Sequence, residues 1–144
     1  MSRPLRIVVV GDSQKVALRI AADLEQCGYE PVFELASSDA QLSRAAGDGC
    51  DIVVASRESA SLPPERALAV LRIGGHARPV IVWSESFTEE DIVALVRAGA
   101  RDCVRKSDLR RLRTAVEREL ESGVATDAQG RVLALPVLAA GLRA

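Results

Sequence analysis

A doubly wound α/β fold, a parallel five-stranded sheet with helices on both faces, is predicted by three observations. Short strand-like segments recur five times along the 144 residues, beginning with the β-branched run Leu5–Val10. Each is followed by apolar residues at helical spacing. Glycines, prolines and capping residues punctuate the boundaries. Five repeats of strand then helix imply right-handed crossovers and a sheet covered on both sides, and the chain is long enough for one domain with a real core.

In order, Leu5–Val10 is the first strand and Gly11-Asp12-Ser13 breaks it and caps a helix. Val16, Leu18, Ile20, Ala21, Leu24 and Cys27 give that helix its apolar face, and Gly28 ends it. Pro31–Leu35 is a shorter strand. Ser38-Asp39-Ala40-Gln41 matches a capping box and opens a helix through Ala46, closed by Gly47 and Gly49. Asp51–Ala55 is the third strand, with Ser56 emerging at its end. A polar loop follows to Pro64, which suits a first helical turn. Ala67, Leu68, Val70 and Leu71 mark the third helix, stopped by Gly74-Gly75. Pro79–Trp83 is the fourth strand. Thr88-Glu89-Glu90-Asp91 starts a helix with acids in its first turn, and Ile92, Leu95 and Val96 form its apolar stripe before Gly99. Arg101–Val104 is the fifth strand. The last helix, from Ser107 to about Ser122, presents Leu109, Leu112, Val116 and Leu120 on one face. The expected strand order is 2-1-3-4-5, the flavodoxin-like arrangement. The expected division is a domain over 1–122 and a linker or tail over 123–144.

Composition narrows the functional classes. Hydrophobic residues make up 48% and charged residues 27%, as in a soluble globular protein. Aromatics are only 3%, so Val, Leu, Ile and Ala must build the core. A formal net charge of −1 gives no global attraction for nucleic acid or an anionic membrane. No apolar run approaches a membrane span. Met1-Ser2-Arg3-Pro4 leads straight into a strand and reads as no signal peptide, so a cytoplasmic location is expected. Cys27, Cys50 and Cys103 lack metal-ligand spacing and are expected to be buried reduced thiols. Only Cys103, beside Arg105 and Lys106, has neighbours in sequence that would lower a thiol pKa.

Four chemistry-bearing residues converge on the carboxyl edge of the predicted sheet, where open α/β sheets place their sites. They are Asp12, Ser56, Ser84 and Lys106. With Val8-Val9-Val10-Gly11-Asp12, Cys50-Asp51-Ile52-Val53-Val54-Ala55-Ser56, Pro79-Val80-Ile81-Val82-Trp83-Ser84 and Ala98-Gly99-Ala100-Arg101-Asp102-Cys103-Val104-Arg105-Lys106, the chain resembles a receiver domain of bacterial two-component response regulators over about residues 5–122. Asp12 precedes Ser56 by 44 positions and Lys106 follows it by 50, both close to the spacing of that family.

The resemblance implies specific roles. Two adjacent acids after the first strand would bind Mg²⁺, an aspartate ending the third strand would accept a phosphoryl group, and a Ser or Thr and a Lys ending the fourth and fifth strands would contact it. Only Asp12, Ser84 and Lys106 match. Gly11 stands at the first acid and Ser56 at the phosphoacceptor. Cys103 replaces the usual aromatic switch residue and Ser107 the usual proline after the lysine. A non-proline cis bond costs about 2.5–4 kcal/mol, so a trans Lys106–Ser107 bond is expected. One carboxylate without a phosphate is a poor Mg²⁺ site, which leaves Asp12 as a weak candidate, and no metal or cofactor is expected. A serine without a nearby base is a poor nucleophile, so no enzyme is expected. Lys106 is expected to pair with Asp12, and Ser84 to be a loop residue without a switching role.

The last helix opens with the basic run Arg105 to Arg113, which lacks the interleaved aromatics of a single-strand binder, and nucleic acid is not expected as a partner. The acid-rich start of the fourth helix is expected beside it, giving complementary faces suited to a symmetric dimer. The candidate residues are Glu89, Glu90, Arg97, Arg101, Arg110, Arg113 and Glu117, and the family commonly dimerises through its fourth helix, fifth strand and fifth helix. The sequence therefore reads as a pseudo-receiver, a phosphorylation-independent docking and dimerisation module. The resemblance further implies the amino-terminal domain of a multidomain sensor or cyclic-di-GMP protein, whose partner is a signalling protein or a linked output domain. The alternatives are a divergent receiver still switched by Mg²⁺ or by phosphorylation at a nonstandard site, a regulator of a nucleic-acid-binding output domain, and, last, a hydrolase using Ser56.

Overall fold

The computed structural model describes residues 3–11, 14–76 and 78–122. Strands and helices alternate through them as β1 (Arg3–Val10), α1 (Gln14–Gln26), β2 (Tyr29–Ala36), α2 (Asp39–Gly47), β3 (Ile52–Ser56), α3 (Pro64–Ile73), β4 (Val80–Ser84), α4 (Glu89–Arg97), β5 (Asp102–Arg105) and α5 (Leu109–Ser122). The sheet is parallel throughout, in the order β2-β1-β3-β4-β5. The predicted fold and strand order are those observed. The expected tail over 123–144 lies outside the described residues, as does Asp12.

The inner strands β1, β3 and β4 are largely apolar on both faces because both are covered. Val8, Val10, Val53, Ala55, Val80 and Val82 pack with Leu42 of α2, Leu68 of α3 and Leu95 of α4. Their alternating neighbours Ile7, Val9, Ile52, Val54, Ile81 and Trp83 pack with Ile20 and Leu24 of α1 and Leu112 and Val116 of α5. β3 and β4 are buried along their whole lengths.

Several boundaries differ from the sequence reading. β2 extends at both ends because it pairs with β1 from Arg3↔Tyr29 to Val10↔Ala36. Pro31, lacking an N–H, is tolerated there because β2 is an edge strand. Ser38 caps α2 by accepting from Gln41 N–H at 3.2 Å, but the Gln41 amide oxygen returns to Ser37 N–H at 2.8 Å rather than to Ser38. At α4 the box is complete: Thr88 Oγ1 accepts from Asp91 N–H, and Asp91 Oδ2 accepts from Thr88 N–H. Gly99, at φ +115°, reverses the chain after α4 in a conformation that favours glycine.

The expected apolar stripe of α4 is corrected. Only Leu95 is buried; Ile92, Val93 and Val96 are 40%, 49% and 50% exposed. A helix has one inward stripe, and here it runs through the half-buried Asp91, Leu95 and Ala98. The remaining apolar side chains face outward. None of the helices is long and apolar enough to cross a membrane among the described residues.

Candidate functional site

Parallel pairing brings the ends of β1, β3, β4 and β5 to one edge. Val10 is in register with Ala55, Ser56 with Trp83, and Ser84 with Arg105. Gly11, Ser56, Ser84 and Lys106 therefore share that edge. Ser56 is a buried strand residue, 8% exposed. A Cβ placed on Gly11 would lie 3.2 Å from Ser56 Cβ. Gly11 and Ser56, both small, are thus packed against each other at that edge.

Ser84 and Lys106 meet at a residue the sequence reading missed, Glu58. Lys106 Nζ lies 2.7 Å from Glu58 Oε1. Ser84 Oγ donates to Glu58 Oε2 at 2.5 Å, and Glu85 N–H donates to Oε1 at 3.2 Å. The expected placement of Ser84 in a loop is corrected: it is the last residue of β4, 1% exposed, and a donor in this cluster. The described partner of Lys106 is Glu58, where Asp12 was expected. Lys106 Nζ also stands 5.8 Å from the centre of the Trp83 ring, within reach of a cation–π contact. The signal for Glu58 was present: it is the sole acid between Asp51 and Glu65, two residues beyond a strand end.

Burial pushes the Glu58 carboxyl up, but the hydrogen bonds from Lys106 and Ser84 and the Lys106 charge outweigh it and hold the group below its ordinary value of 4.5. A carboxylate with a depressed native pKa contributes stability that is complete above the unfolded-state value and lost as pH falls through the native one. Glu58→Gln is therefore expected to flatten the acid limb of the stability curve. Urea midpoints measured from about pH 6 to pH 3 should fall less steeply in the variant than in the wild type.

Next to Glu58, Arg57 reaches the same segment. Its backbone N–H donates to Trp83 O at 2.9 Å. Nη1 donates to Ser86 O at 3.0 Å, Nη2 lies 3.0 Å from Asp91 Oδ1, and the guanidinium carbon is 5.9 Å from the centre of the Phe87 ring. Asp91 is the capping-box residue of α4. The hydrogen bond from Thr88 N–H, with the Thr88 hydroxyl and Arg57, holds its carboxyl below the ordinary range despite desolvation.

Arg105 and Lys106, the neighbours in sequence, do not lower the Cys103 thiol. Burial first, then the charges of Asp102 and Asp91, push it up to about 11. Cys50 is buried and also raised, mainly by desolvation, whereas Cys27 and Cys103 are only partly buried. Alkylation of Cys103 by iodoacetamide at neutral pH is expected to run about tenfold slower or more than that of an unperturbed thiol, since the thiolate is the nucleophile and its smaller fraction outweighs its greater reactivity. Peptide mapping of a time course would measure it.

The predicted partner-face residues separate. Glu89 and Glu90 are exposed in the first turn of α4 and Arg97 in its last. Exposed Arg101 has Nε 3.3 Å from Glu119 Oε1. Arg110 is exposed and Glu117 half-buried on α5. Arg113 instead turns toward α1, with Nη1 3.8 Å from Asp23 Oδ1. Because α4 and α5 pack on opposite faces of the sheet, the acidic start of α4 and the basic start of α5 belong to different layers, with β5 between them. His76 follows α3, before the amino end of β4, at the opposite edge of the sheet from Ser56. The peptide bonds of the described residues, Lys106–Ser107 among them, are trans. Among the described residues no group of three or more His, Cys, Asp or Glu side chains is placed to hold a metal ion.

Solved structures of similar fold have been determined. The fold is that of response regulator receiver domains. A response regulator receiver domain from Clostridium thermocellum matches with a TM-score of 0.67 and 21% identity, over 83% of this chain and 96% of that one. The receiver domain of the sensor histidine kinase PA1611 from Pseudomonas aeruginosa, solved with a magnesium ion in its active-site cleft, matches with a TM-score of 0.64 and 22% identity over 80% and 96%. The chemotaxis protein CheY4 of Vibrio cholerae gives 0.65 and 18% over 79% and 97%. No family model matches the chain, and no curated protein sequence matches it.

Proposed function

We propose that this chain is a pseudo-receiver, a phosphorylation-independent docking and dimerisation module of bacterial signal transduction serving a multidomain sensor or cyclic-di-GMP protein. The observation that carries the reading is the outer face of α4. Ile92, Val93 and Val96 form an exposed apolar strip with Glu89 and Glu90 at one end and Arg97 at the other. Under a two-fold axis the acidic end of one helix meets the basic end of its mate, so the face is complementary to a second copy of itself. The pairing of small Gly11 with Ser56 supports a cleft that does not accept a phosphoryl group.

Sedimentation equilibrium of the chain, with and without Mg²⁺ and acetyl phosphate, tests this. The expected result is a dimer unchanged by the phosphodonor. Glu90→Arg and Arg97→Glu should each weaken it about three- to tenfold, the scale of the two symmetry-related exposed ion pairs that either change removes, and the double charge swap should restore it. A monomer that dimerises only with the phosphodonor would overturn the reading in favour of a divergent, still switchable receiver. A monomer under all conditions would reject self-association.

A further inference from the structure

Glu58 and Arg57 are consecutive loop residues, yet their side chains together reach six other residues on three segments. The Glu58 carboxylate gathers the ammonium of Lys106 after β5, the hydroxyl of Ser84 ending β4, and the backbone N–H of Glu85. Arg57 holds Ser86, Phe87 and Asp91. Between them they contact the connection from β4 to α4 at nearly every residue, and the last contact is the carboxylate that caps α4. A carboxylate with three donors is well satisfied, and charge-assisted bonds of this kind are stronger than neutral ones. Ser84 and Lys106 are largely buried, so without Glu58 the ammonium would lose its described counter-charge in a partly desolvated place.

We propose that Glu58 is an internal ligand of the strand-end cleft, a carboxylate latch that, with Arg57, fixes the β4–α4 connection and the first turn of α4 in one arrangement. The latch sets the orientation of the helix that carries the exposed apolar strip, and it does so with a group built into the chain. The pocket around it is therefore a carboxylate site, formed by Lys106 Nζ, Ser84 Oγ and Glu85 N–H, already filled. The inference rests on the cleft geometry and stands apart from self-association.

The test is amide hydrogen exchange on the full chain, at concentrations below those at which it self-associates, so that its failure is separable from failure of the dimer. In Glu58→Gln and Glu58→Ala, exchange over residues 85–91 is expected to accelerate about tenfold or more, the scale of one lost charge-assisted bond, while α1 and α2 keep their rates. Fluorescence of Trp83, the single tryptophan, should change as Lys106 is released beside its ring. Sodium formate, matched against sodium chloride for ionic strength, should restore slow exchange in Glu58→Ala and leave the wild type unaltered. Arg57→Gln should accelerate exchange over 86–91 while leaving the Trp83 emission in place. Unchanged exchange over 85–91 in Glu58→Gln would overturn the proposal. So would acceleration shared equally by α1 and α2, which marks general destabilisation. Formate that slows exchange in the wild type as much as in Glu58→Ala would show the pocket to be open and overturn its occupancy by Glu58. If Glu58→Ala does not fold, the Glu58→Gln and Arg57→Gln exchange patterns decide by the same criteria.

Discussion

Trp83→Ala is expected to destabilise the protein by about 3–5 kcal/mol, the usual range for truncating a fully buried aromatic. Trp83 is 1% exposed and the largest fully buried side chain of the core. It sits near the end of β4 with Ser56 and Val104 as its register neighbours, in the layer covered by α1 and α5. In a core of small aliphatic side chains, nothing nearby has the volume to fill the space an indole leaves. The loss is a large share of the roughly 5–15 kcal/mol that holds a typical domain together. Urea titration followed by circular dichroism would measure it, since the substitution removes the fluorophore. Trp83→Phe keeps a ring and more of the volume, and is expected to lose less than half as much. A cost below about 1 kcal/mol for Trp83→Ala would mean that the strand end relaxes into the cavity, contrary to the close-packed behaviour of protein cores.

The contrast between Trp83 and Glu58 shows what the sequence could reveal. Trp83 was legible as a core residue because Val80-Ile81-Val82-Trp83 is an uninterrupted apolar run, and such a run has to be covered on both faces. The same logic recovered β1 and β3, and with five strand–helix repeats it recovered the order of the sheet. Ser56, Ser84 and Lys106 were legible as neighbours because a parallel sheet puts strand ends on one edge. Glu58 was not, because it lies in a loop, where no periodicity says which way a side chain turns. Its role depends on the loop folding back over Ser84 and Lys106. Glu58 as a partner of Lys106 was hidden for the same reason, while the Asp12 expected beside that lysine lies outside the described residues. Helix α4 failed differently. Ile92, Leu95 and Val96 read equally well as a core stripe, but a nine-residue helix packed at the margin of the sheet buries one row and leaves the next outside. Periodicity identifies an apolar face without saying whether the fold or a partner covers it.

That exposed row gives the largest expected effect on assembly. Val93→Glu with Val96→Glu is expected to weaken self-association about 30- to 1,000-fold, corresponding to roughly 2–4 kcal/mol for losing central apolar anchors and placing charge against apolar surface. Both side chains are half exposed in the single chain, so the substitution costs the isolated fold little. Glutamate is also a good helix former in an exposed position. The unfolding midpoint measured on dilute protein should therefore move little while the dimer dissociates, and sedimentation equilibrium beside urea titration separates the two effects. The size relative to the Glu90 and Arg97 charge swaps is itself diagnostic. Rim charges act weakly through solvent and set register, whereas central apolar groups gain from leaving water altogether. If the double valine substitution changed association no more than one charge reversal does, the α4 strip would lie outside the contact, and the copy-to-copy surface would have to be sought on another face of the domain.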